Sequence, residues 1–134
     1  MVREERLKFT RELSETLTIQ SVGPEGIRIN ERLWSQTVAL TAEEIIEPWP
    51  LLDLADLSVE HFSELFLRSP ELIIVGTGAK SEFAPRELMF AFARRGVGLE
   101  VMDTAAAART FNVPAGEGRR IAAVLYSCRR FYGD

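Results

Sequence analysis

ELIIVGTGAKSEFAPRELMFAFARRGVGLEVMDT, residues 71–104, is the stretch whose reading decides the fold. Glu71–Val75 is a short apolar run of the kind buried on both faces of a parallel sheet. Two glycines one residue apart, Gly76 and Gly78, then break it. Pro85 suits the first turn of a helix and Gly96 suits its end. Leu99–Met102 is a second buried strand. A strand, helix and second strand of this kind close through a right-handed crossover, which sets the two strands parallel and adjacent. Downstream, Asp103 or Thr104 caps a short helix predicted through Phe111, with Asn112 at its end and Pro114 just beyond. Ala115–Gly118 turns the chain and Arg119–Tyr126 is the last strand. A preceding helix is predicted from Ser58 as N-cap, with Val59, Phe62, Leu65 and Phe66 as its apolar stripe.

Closer to the N-terminus the apolar period changes to two. Leu17–Val22 reads as a strand, and Gly23-Pro24-Glu25-Gly26 is a turn in which Pro24 pre-sets φ. Ile27–Ile29 starts a second strand. After Asn30-Glu31, Leu33–Leu40 is predicted as a third, with Trp34, Gln36, Val38 and Leu40 on one face. These strands form an antiparallel meander. With no repeat, linker or low-complexity tract, residues 1–16 read as a charged arm and 17–134 as one α/β domain.

The 134 residues are 46% hydrophobic and 27% charged, a globular composition with enough chain for a real core. Apolar runs such as Leu88–Ala93 and Ile121–Tyr126 are too short to span a bilayer. The N-terminal MVREERLKFTRELSE mixes charge signs and lacks the apolar centre of a signal peptide. One cysteine, Cys128, cannot form an internal disulfide. These features predict a cytoplasmic protein without an integral membrane segment. The net charge is −4, which disfavours nucleic acid as a partner. Acids dominate residues 31–71, whereas Arg86, Arg94, Arg95, Arg109, Arg119, Arg120, Arg129 and Arg130 dominate the C-terminal part. Such asymmetry marks either an interaction surface or solvated faces that pair within the fold.

The glycine loop resembles two phosphate motifs and satisfies neither. Gly76 and Gly78 fit a dinucleotide fingerprint, but Ser81 holds the third glycine position. A P-loop needs glycine directly before Lys80-Ser81, and Ala79 stands there. The default is a structural turn. Its location, at the C-terminal ends of adjacent parallel strands, still suits a ligand. The backbone N–H groups of Thr77, Gly78 and Thr104, with Lys80, are the candidate cradle for a small anion or nucleotide-like ligand. Gly76, Asp103, Asn112 and Arg119 complete that candidate pocket.

No catalytic constellation accompanies it. His61, the single histidine, has no triad motif around it and reads as structural. No carboxylate spacing suits a metal, and no cofactor is expected. Cys128 lies beside Arg129 and Arg130, which would lower its pKa, although a lone cysteine here is more often inert. Two prolines hold Trp49 in an extended segment, as a plug on the core or as a contact for a partner. In the helix from Pro85 to Arg95, apolar residues cover well over half the circumference. Either it packs on both sides, or Phe90 points at a partner, with Arg94 alongside. An apolar helix face also allows a homodimer.

Taken together, several short motifs resemble a family of small α/β proteins typified by an archaeal structural-genomics protein and including a mitochondrial complex I assembly factor. They are L-x-x-x-G-T-G at Leu72–Gly78 with a following F-x-P, G-x-x-x-E-x-M-D-T at Gly96–Thr104, R-T-F-N at Arg109–Asn112 and E-G-R-R at Glu117–Arg120. Gly26-Ile27 and Glu47-Pro48-Trp49-Pro50 match as well. The resemblance implies a three-layer fold with a central mixed sheet. It implies no established catalytic residue, a non-enzymatic role and a protein partner of unknown identity. The interaction or assembly module is the leading expectation and the anion-binding domain the alternative.

Overall fold

The computed structural model describes residues 16–128. Most of the expected charged arm, and Arg129 and Arg130, lie outside the described residues. Among the described residues, eight strands form two sheets. β1 (Ile19–Gly23), β2 (Gly26–Ile29) and β3 (Arg32–Trp34) make the antiparallel meander. The second sheet has the order β5-β4-β8-β6-β7, from β4 (Val38–Thr41), β5 (Ile45–Ile46), β6 (Leu72–Gly76), β7 (Gly98–Met102) and β8 (Ile121–Leu125). β6 runs parallel to both β7 and β8, whereas β4 is antiparallel to β8 and β5. The sheet is therefore mixed, as expected.

The third strand differs from its expectation. Leu33–Leu40 is not continuous: β3 ends at Trp34, and β4 starts at Val38 in the other sheet. Trp34, Val38 and Leu40 nevertheless face the same core. Gln36, expected on that face, is exposed in the break between the two sheets, a crossing that the period-two pattern does not reveal.

Three α-helices lie among the described residues: α1 (Ser63–Phe66), α2 (Arg86–Arg95) and α3 (Thr104–Gly116). A 3₁₀ turn, Val59–Phe62, leads into α1, so the predicted helix after Ser58 forms in two short pieces. Ser58 N–H donates to His61 Nδ1 at 3.0 Å, which gives the histidine a local structural role. Gly96 closes α2 in the left-handed conformation, φ 72°, open to glycine without a Cβ penalty. α3 runs past both expected stop signals. Asn112 lies within it, and Pro114 sits in its last turn, at the loss of the one hydrogen bond its N–H would have made to residue 110.

Alternating residues of the mixed sheet build two cores. Ile74, Ala123, Leu125, Val38 and Leu40 point to one side, where the meander and the α3 residues Ala107, Phe111 and Ala115 cover them. Ile73, Val75, Ala122 and Val124 point to the other, against Phe62, Leu65, Leu88 and Phe92. This is the period of a strand used on both faces. The second core centres on an aromatic cluster. Phe62 meets Trp49 and Phe92 edge-on, at centroid distances of 5.6 and 5.1 Å.

Candidate functional site

The strand ends come together at the glycine loop. Gly76 pairs with Met102 of β7 and with Leu125 of β8. Gly76 is glycine for want of room, because a Cβ there would sit 2.8 Å from Thr104 Cα and Oγ1. Beyond the strands, Thr77 N–H donates to Met102 O at 2.8 Å and Thr104 N–H to Gly78 O at 2.9 Å. Gly78 N–H donates to Thr104 Oγ1 at 2.8 Å, and that hydroxyl donates to Tyr126 O at 2.7 Å. Thr77 Oγ1 donates to Lys80 O at 2.6 Å. Asp103 Oδ1 caps α3 by accepting from Ala106 N–H at 2.8 Å.

Thr104 thus ties together the loops that follow three strands, and it is fully buried. The amides of Thr77, Gly78 and Thr104, named as the anion cradle, each already have a protein acceptor. Lys80 is exposed on the rim. Two of the candidate pocket residues lie elsewhere. The Asn112 side chain holds the backbone of Ile19 on β1, accepting from its N–H at 3.0 Å and donating to its O at 2.9 Å. Arg119 pairs with Glu71 at 3.2 Å, before the start of β6. Two cavities among the described residues lie away from the loop. A cleft of about 450 Å³ opens between β3 and the segment after β5, beside Arg32, Trp34, Pro48 and Leu51. A groove of about 330 Å³ separates β1 from α3 beside Ala105, Ala108 and Arg109. Among the described residues, no group of three or more His, Cys, Asp or Glu is placed to hold a metal.

The α2 surface has a different character. Leu88 and Phe92 are each 1% exposed and fill the core. On the outer side Phe90 is 55% exposed, Met89 42%, and Phe83, in the loop before the helix, 99%. Arg86 and Arg94 are exposed, one helical turn before and after Phe90. One side of this helix packs on the core, and the side that carries Phe90 faces outward. Arg95 lies over the Phe66 ring, 4.4 Å from its centroid. Arg86 and Phe83 were not among the residues expected on a contact surface. The i, i+4 spacing of Arg86, Phe90 and Arg94 was the available signal. Trp49, the third residue expected on a contact surface, is covered by the core and acts as a plug. Cys128 is also buried. Burial pushes its thiol pKa up, and the carboxylates of Asp103 and Glu25 push the same way.

A family described as "Protein of unknown function (DUF498/DUF598)" matches residues 19–126. NADH dehydrogenase [ubiquinone] 1 alpha subcomplex assembly factor 3 of Danio rerio is 34% identical over 117 residues, covering 86% of this chain and 67% of that protein. Its Homo sapiens counterpart is 32% identical, covering 86% and 63%. The chain thus spans about two thirds of the length of these relatives. A crystal structure of a Bordetella parapertussis protein superposes with a TM-score of 0.77 at 32% identity, covering 85% of this chain and 98% of that one. A 24% identical relative from Francisella tularensis, covering 69% of this chain and 76% of that protein, is called a 13 kDa major membrane protein. Among the described residues, no helix is long and apolar enough to cross a membrane.

Proposed function

Because the chain belongs to the DUF498/DUF598 family of proteins of unknown function, we propose that it is a non-enzymatic interaction module that holds another protein through the outer face of α2. The observation that carries this reading is Phe90. It is 55% exposed on a helix whose next aromatic, Phe92, is 1% exposed. An exposed aromatic framed by arginines has the composition of an interface centre. The relatives named as assembly factors support an assembly-like role, since such a protein acts by association. A cytoplasmic location goes with the same reading, and fractionation of native cells tests it against the Francisella relative's name.

Affinity purification of the full chain from native cells, with wild type and Phe90→Asp side by side, tests the module. The expected result is a reproducible protein partner that Phe90→Asp loses. An interface centre contributes at least about 2 kcal/mol, roughly thirtyfold in affinity. Phe90 is largely solvent-exposed, so the variant's stability should stay within about 0.5 kcal/mol of wild type. A partner set unchanged by Phe90→Asp, or no reproducible partner at all, removes the basis of the proposal.

A further inference from the structure

We infer that the α2 face takes a partner whose apolar surface is rimmed by carboxylates, and that it turns away a second copy of this chain. The inference rests on the interaction-module reading and adds the partner's chemistry. Arg86, Phe90 and Arg94 are spaced four residues apart, so they share one side of the helix. All three are exposed, and among the described residues neither arginine forms an ion pair. Arg86 lies in the first turn, where a cation opposes the helix dipole. Among the described residues no carboxylate pairs with it to offset this. Glu87, beside it, is exposed and in no ion pair among the described residues.

The same spacing argues against self-association. A two-fold pairing of α2 helices centred on Phe90 sets Arg86 of one copy against Arg94 of the other, at both ends of the contact. Like charges brought together at an interface select against that partner. The arrangement that satisfies the face is heterologous: an apolar surface receiving Phe90, with acids on either side for two guanidinium groups. Arginine suits this because its planar fork binds a carboxylate through two parallel hydrogen bonds.

Two synthetic amphipathic helical peptides make the test. They share a leucine stripe and differ only in its flanking residues, glutamate in one and lysine in the other. Each is titrated into the full chain while the backbone amides are followed by NMR. The glutamate peptide should shift the amides of Arg86–Arg95 saturably, and the lysine peptide should not. Arg86→Glu/Arg94→Glu should weaken the glutamate peptide at least tenfold, and Arg86→Lys/Arg94→Lys much less. The response should fall with salt on the scale of a Debye length of about 10 Å at 0.1 M. Equal binding of both peptides, or none at α2, overturns the inference. The interaction module itself then still stands if Phe90→Asp abolishes the cellular partner. Sedimentation equilibrium across a concentration series supplies the second arm. Wild type and Phe90→Asp should show the same mass distribution, and a wild-type dimer that Phe90→Asp splits overturns the inference.

Discussion

Replacing Thr104 by valine keeps the shape and removes one buried hydroxyl. Gly78 N–H then loses its acceptor, and Tyr126 O loses a donor that stands 2.7 Å away. Stranding a buried backbone donor costs about 1–3 kcal/mol, so urea denaturation of Thr104→Val should show a loss of about 2–4 kcal/mol once the second bond is included. Thr104→Ser retains the hydroxyl and gives up only a methyl group, about 1 kcal/mol. Equal losses in the two variants would mean that packing, not the hydroxyl, matters there. Cys128 offers a second test at this scale. Burial raises its thiol pKa, so less thiolate forms near neutral pH and alkylation of the native protein at pH 8 should be slow, becoming fast in denaturant. The sequence located the loop through its glycines. It did not disclose that the donors were already used, because which hydroxyl meets which amide depends on strand register, not on local pattern.

Asn112 operates on elements. Both polar ends of its side chain hold Ile19 on β1, at the edge of the meander. An asparagine here reads locally as a helix stop, since its side chain competes for backbone groups. In the folded chain that side chain is engaged by another element, and α3 continues to Gly116. Asn112→Ala should therefore loosen β1 more than α3. The expected signature is faster amide exchange at Ile19, with a stability loss of about 1–3 kcal/mol. Asn112→Asp keeps the acceptor but faces Ile19 O with a charge, and should be at least as damaging. Protection at Ile19 unchanged in the alanine variant would remove Asn112 from this role. The β6, α2 and β7 unit was readable in advance because Pro85 and Gly96 mark the helix ends and the apolar runs match buried strands. The break between β3 and β4 was not, because alternation continues across it.

In the whole molecule, the mixed sheet is shared by two cores, so neither can persist without it. Phe92→Ala on one side and Phe111→Ala on the other should each cost about 3–5 kcal/mol. Both variants should still unfold in one step, with near- and far-ultraviolet circular dichroism curves coinciding. Curves that separate would show the two cores melting independently. The arrangement of the sheet also bears on how the protein is made. β8, the last of the described strands in chain order, lies at the centre of the sheet, between β4 and β6. While the polypeptide is still being synthesised, β4 and β6 have no strand between them until residues 121–125 have left the ribosome. Completion of this sheet therefore follows synthesis of the other four strands that form it. Until then two open strand edges are exposed, a period in which a nascent chain is prone to pair wrongly and benefits from chaperone cover.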